Sequence, residues 1–375
     1  MTQGRIRTRL WCLVSRSPDD WKQRYAPAQL QRWRSVCDPL ADDAAVYVKR
    51  ARPSRMLDEL ETLARGGNDA CARFVARTAQ VPTWVEWPLV ERGRRVALAF
   101  SAVRGLGLLA ALMEGYALSK AARVLVATGR LNQDVSRRLH ETGQMNHNMN
   151  VRDGLRPGGV GHRHILEVRL LHAMVRRHVR ERGWDAVHFD EPINQEDMAF
   201  TVIEFDHLAV RGMARLGARV SVEDRRAMHH LWRYAAWLHG VDDELITQSP
   251  EEQTFQYEAI RKHQLVPNED SRSLAAAVLT GIAGQPPFRL SERALRGLTR
   301  AMLDEDLRVA YGLHADPVAD AAVVALRRWN RAATFAHYHM PGAARLAEQF
   351  HYALGRRALE RQLGEATKRA FRNIA

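Results

Sequence analysis

The sequence predicts an all-α protein. Apolar residues recur at three- and four-residue steps through nearly every long segment, and no stretch shows a convincing two-residue alternation. Proline, glycine and capping residues punctuate these segments where helices should start and stop. With 375 residues, 46% of them hydrophobic, the chain can bury a sizeable core. It contains no internal repeat, low-complexity tract or dividing linker, so one large helical domain with peripheral helices is expected.

Residues 41–48, 55–65 and 68–78 read as short helices around Pro53 and the Gly66-Gly67 break. Pro82 and Pro88 bracket a tryptophan-bearing connector, VPTWVEWP. Residues 89–113 then read as one long buried helix and 133–145 as another. An irregular stretch, 146–161, leads into a helix over 165–179. Asn194 should cap the next helix, with Gln195, Glu196 and Asp197 in its first turn. Ser221 should cap 222–238, which Gly240 ends; Pro250 and Ser291 open further helices, and Pro317 and Pro341 punctuate the last third.

The formal charge of +13 comes almost wholly from arginine, with lysine only at Lys22, Lys49, Lys120, Lys262 and Lys368. The arginines are scattered rather than clustered, which excludes a specific nucleic-acid footprint and leaves room only for weak association with anionic membrane surfaces. Cys12, Cys37 and Cys71 form neither a CxxC pair nor a CxxCH haem-attachment site. The apolar run at 10–14 is too short for a secretion signal, and the greasiest window, 96–113, is interrupted by Arg104 and softened by Gly105 and Gly107. A cytoplasmic protein without a transmembrane segment is expected. Phosphate-loop, dinucleotide, nucleophile-elbow and kinase motifs are absent.

The most informative segment is ILEVRLLHAMVRRHV. Ile165, Val168, Leu171, Val175 and Val179 form one stripe, with His172 inside it and Arg169 and Arg176 on its flank. An imidazole on a greasy wall beside two guanidiniums suits haem: iron for the histidine, propionates for the arginines. By itself, such a histidine is more often an ordinary core residue. In QDVSRRLHET, Val135, Arg138, Leu139 and Thr142 share a helical face, where the two polar residues serve either as donors to bound dioxygen or as a salt bridge and a backbone-bonded hydroxyl. His140, His147, His162, His164, His172 and His178 crowd this region, with the HxH pair at 162–164 expected on a loop. No HExxH or paired ExxH spacing supports a multi-histidine metal site.

These motifs resemble the family of latex-clearing proteins, the bacterial rubber oxygenases, which includes the fungal membrane-bound oxygenase of mycophenolic acid synthesis. The likeness runs in order through CDPLADDA, VPTWVEW, ATGRL, RRLHET, GLRPGGVG, VRLLHAMVR, PINQEDMAFT and HLWRYAAWLHGVDDEL. It implies a single all-α domain over 1–375, with a globin-like haem-binding core at about 38–250 and a helical extension at about 251–375. It also implies non-covalent haem b, with His172 as the proximal iron ligand and Arg169 and Arg176 supporting the haem environment. Arg138 and Thr142 match the element expected near the distal face. Two positions depart from the rubber enzymes: Glu141 stands where they place lysine, and Ala122 where they carry the glutamate of double-bond cleavage.

The expectation is therefore a haem b-dependent oxygenase that uses dioxygen on a hydrophobic small molecule, olefins among the candidates, with rubber cleavage disfavoured. Arg138, Glu141 and Thr142 would be catalytic, and His172, Arg169 and Arg176 would bind the cofactor. The alternative is a non-catalytic haem sensor, store or electron carrier, with His147 or His164 as a second axial ligand. A third reading has no haem and leaves His172 in the core.

Overall fold

Side-chain caps set ten of the helix starts among the described residues. The computed structural model of the chain describes residues 16–48, 55–127, 131–285 and 289–362, with the side chains of 131–138, 140 and 358–362 left undescribed. Among the described residues the regular structure is helical and contains no strand. Five short helices come first: α1 (Pro18–Arg24), α2 (Pro27–Trp33), α3 (Pro39–Ala45), α4 (Met56–Arg65) and α5 (Asp69–Ala79). The central set is α6 (Trp87–Ala99), α7 (Ser101–Ala117), α8 (Ser119–Ala127), α9 (Leu131–Met149) and α10 (Val160–Glu181). After a single turn, α11 (Ala186–Phe189), come α12 (Gln195–Ile203), α13 (Ala209–Arg215), α14 (Val222–Leu238) and α15 (Pro250–Gln264). The last third holds α16 (Glu269–Ile282), α17 (Glu292–Met302), α18 (Glu305–Ala310), α19 (Pro317–His339) and α20 (Ala343–Gln362).

The expected caps form. Asn194 accepts from the Asp197 amide, Ser221 from Asp224 and Ser291 from Ala294. Gly240, at φ +82°, ends α14 in the left-handed conformation expected of it.

The single helix expected over 89–113 is instead two, α6 and α7, bent by 89° at Phe100. Each half seats against a different neighbour at a glycine. A Cβ on Gly93 would meet the Ala227 carbonyl oxygen of α14 at 2.3 Å, and one on Gly107 the Ala209 oxygen of α13 at 2.4 Å. One straight helix cannot follow both partners. No single helix among the described residues is long and apolar enough to cross a membrane; only α6 and α7 taken together, across their bend, reach that length and composition.

The irregular stretch is shorter than the sequence suggests. α9 continues through Asn146 to Met149, with the Asn146 side-chain amide donating back to the Thr142 carbonyl at 3.3 Å, and the loop occupies only 150–159. α10 begins at Val160, which puts His162 and His164 on the helix rather than on a loop. Between α12 and α13 the chain runs through a π-turn, Glu204–Leu208, that periodicity does not signal.

Two apolar clusters form the interior. One joins α2–α5 to α10, α12, α14 and α15; the other is built around α7, α13, α16 and α17. α10 touches α3, α4, α9 and α14, and so is packed on several sides.

Candidate functional site

On α10 the buried side coincides only in part with the stripe read from the sequence, of which Ile165 and Val179 are buried. Ile165, Leu166, Leu170 and Ala173 are buried, together with Arg169 and Arg176. Val168, Leu171 and Val175 remain half-buried, and His172 lies at the edge of that face. The register is rotated because the two guanidiniums turn inward onto α3, where carboxylates meet them.

Arg169 grips Asp38 through two hydrogen bonds, Nε to Oδ2 at 2.6 Å and Nη2 to Oδ1 at 2.9 Å. The same Asp38 caps α3 by accepting from the Ala41 amide. One turn further along α3, Asp42 accepts from Arg176 Nε at 2.8 Å, and Arg176 Nη1 donates to the Ile193 carbonyl. Burial pushes the Asp42 carboxyl up, against the pull of Arg176. Both arginines thus already hold protein carboxylates, where the sequence reading gave them haem propionates.

His172 faces His239, the C-cap residue of α14, with ring centroids 6.4 Å apart and planes inclined at 22°. Burial pushes the His239 imidazole down to about 3, aided by His172 and Arg169, so it is uncharged at neutral pH. The turn after it is tightly filled, since a Cβ on Gly240 would meet Asp38 Oδ2 at 2.4 Å and Arg169 Nε at 2.5 Å.

Gln195 stitches the same region together. Its side-chain amide donates to the Cys37 and Gly240 carbonyls, and its Oε1 accepts from the Asp242 amide. Arg34 gathers Asp190, Glu196 and Asp197 around its buried guanidinium. Segments far apart in sequence, CDPLADD, VRLLHAMVR, PINQED and LHGVDD, converge on the His172 helix.

The catalytic domain described as "ER-bound oxygenase mpaB/B'/Rubber oxygenase" matches residues 94–338. The chain belongs to that family. It is 23% identical over 259 residues to a rubber oxygenase of Streptomyces sp. (strain K30), covering 67% of this chain and 62% of that protein. It therefore spans somewhat under two thirds of the length of this relative. Its fold is similar to the latex clearing protein LCP in the closed state, with a TM-score of 0.66 at 19% identity over 87% of this chain and 91% of the other. The all-α architecture is thus that of a known oxygenase family.

The other expected site residues fall on α9. The side chain of Arg138 lies outside the described residues. Glu141 and Thr142 are exposed, and Glu141 acts electrostatically on His164, whose ring burial pushes down. His164 accepts from the Asn148 amide at 2.9 Å, and His147 stacks on Tyr352. Among the described residues no three His, Cys, Asp or Glu side chains gather as a metal cage. His172, with the His239 ring beside it, presents an imidazole next to a half-buried apolar face, a donor that can serve an iron held by a macrocycle.

Sequence reasoning missed Asp38, Asp42, His239 and Arg104. The first three lie within motifs the sequence displays, CDPLADD and LHGVDD, but a motif does not reveal its partner. Arg104 carried a signal of its own: an arginine in the greasiest window of the chain.

Proposed function

We propose that the chain is a haem b-dependent oxygenase acting with dioxygen on a hydrophobic small molecule. The observation that carries this reading is His172, set at the edge of the half-buried face of a helix clamped by two arginine–aspartate pairs, in a member of an oxygenase family.

His172 would hold the iron from the proximal side. Val168, Leu171 and Val175 would lie against the macrocycle and keep water away from it. Arg169 and Arg176 act as positioning residues, since their pairs with Asp38 and Asp42 hold α10 in register behind the imidazole. Bound haem supplies the redox chemistry that activates dioxygen. On α9, Arg138 and Thr142 would donate hydrogen bonds to charge developing on oxygen, and Glu141 would carry a proton. Ala122 is buried and has no group that could act as a base, so olefin cleavage of the rubber type is not part of the proposal.

The absorption spectrum of protein purified from haem-replete cells tests this reading. A Soret band that His172→Ala abolishes is expected. Colourless wild-type protein, or full loading of the alanine variant, would overturn it. Six-coordinate iron that binds no carbon monoxide would favour a non-catalytic haem protein.

A further inference from the structure

Of the five buried arginines among the described residues, Arg34, Arg94, Arg169 and Arg176 are ion-paired and Arg104 is not. Arg104 lies on α7 and is 5% exposed. Its Nη1 and Nη2 both reach Asn146 Oδ1 only at 3.4 Å, Nη2 donates to the Phe205 carbonyl of the π-turn at 3.0 Å, and Nε has no acceptor. Its guanidinium carbon sits 5.6 Å from the ring centroid of Trp232, whose own buried indole N–H also lacks an acceptor. Burial pushes the guanidinium down to about 10, so it stays charged at neutral pH.

A charge withdrawn from water needs a counter-charge, and among the described residues no carboxylate lies within ion-pair reach: Asp206 acts on the guanidinium only from a distance and is already held by Arg225 and His229. Planar guanidinium donors favour a planar, bidentate acceptor. Asn146 lies one turn from Thr142 on α9, the helix that packs on α10, so Arg104 is joined through Asn146 to the helix that carries the expected distal residues. Arg169 and Arg176 are already paired and do not compete for an incoming anion.

We propose that Arg104 is the seat of a ligand carboxylate, either a haem propionate or the carboxylate of an acidic substrate. The first source rests on the haem reading; the second does not require it.

The test titrates haem, and haem dimethyl ester with its propionates blocked, into the full-length apo-protein and its Arg104→Met and Arg104→Lys variants. If a propionate is the ligand, Arg104→Met weakens haem binding by about tenfold or more, leaves the ester unchanged, and Arg104→Lys falls between. If a substrate carboxylate is the ligand, both porphyrins bind the methionine variant normally, and stabilisation of the protein by laurate is lost. In either case the apo methionine variant melts at or above the wild-type temperature, because an unbalanced buried charge has been removed. Unchanged affinity for haem, ester and laurate overturns the proposal. So does a methionine variant that melts lower and binds haem and ester equally poorly, the signature of a structural arginine. Wild-type protein that takes up no haem refutes the haem reading, while the laurate and melting measurements still decide the role of Arg104.

Discussion

Arg169 and Asp38 lie 131 residues apart and form a buried two-point ion pair that joins the candidate iron-ligand helix to the N-cap of α3. Asp38 serves both ends, capping one helix and holding another, so loss of either partner leaves an uncompensated charge in the interior. Asp38→Ala and Arg169→Ala should each lower unfolding stability by about 3–5 kcal/mol. The double variant should lose much less than the sum, because no lone charge remains. Urea denaturation of the four proteins measures this coupling, and additive losses would show that the pair does not act as a unit.

Gly240 should be intolerant of any side chain for two separable reasons. Its φ of +82° is disfavoured for L-residues, and a Cβ there would strike Asp38 and Arg169. Gly67, at φ +90° with nothing near its Cβ position, supplies a control. Gly67→Ala should cost about 1–2 kcal/mol, the backbone penalty alone. Gly240→Ala should cost clearly more, and the excess should shrink in an Asp38→Ala background. Equal losses at the two glycines would remove the steric argument.

Arg34 is the hub of a second cluster, facing Asp190, Glu196 and Asp197. Burial pushes the Asp197 carboxyl up to about 6 despite Arg34, so this network is sensitive to loss of its cation. Arg34→Met should destabilise the fold by about 3–5 kcal/mol. Asp197→Asn should recover part of that loss by removing one stranded charge. Thermal melts of the two single variants and the double would register the rescue, and a double variant no better than Arg34→Met counts against the hub.

His230 should make the protein acid-sensitive. Its Nε2 accepts from the Glu86 amide at 2.8 Å, a bond only the neutral ring can make. Burial, with Arg233 and His229, pushes its pKa down to about 4 from an ordinary value near 6.5. Between those values the unfolded chain binds a proton that the folded chain refuses. Stability is therefore full above about pH 6.5 and falls toward pH 4, by up to about 1.4 kcal/mol per pH unit. His230→Gln, which can still accept from the Glu86 amide, should lower this slope by the residue's own share, leaving the part that comes from other buried imidazoles such as His239. An unchanged slope in the variant would assign the acid sensitivity elsewhere.

Much of the fold was legible because its determinants are local. Three-residue capping relations at Asn194, Ser221 and Ser291, the left-handed Gly240 and the 3.6-residue apolar period act within one or two helical turns. His172 was legible as a candidate because its motif and its apolar stripe coincide. The bend at Phe100 was not, because it follows from which helix each glycine of α6 and α7 seats against.

By itself, the sequence determined an all-α chain of an oxygenase family and singled out the His172 helix. Only the tertiary structure decided what its arginines do. A guanidinium written into a sequence shows that an anion is needed, but not where it comes from, since the partner sits on another helix brought near by packing. For Arg169 and Arg176 the partners are Asp38 and Asp42, at the start of α3 and more than a hundred residues away, while among the described residues no carboxylate pairs directly with Arg104.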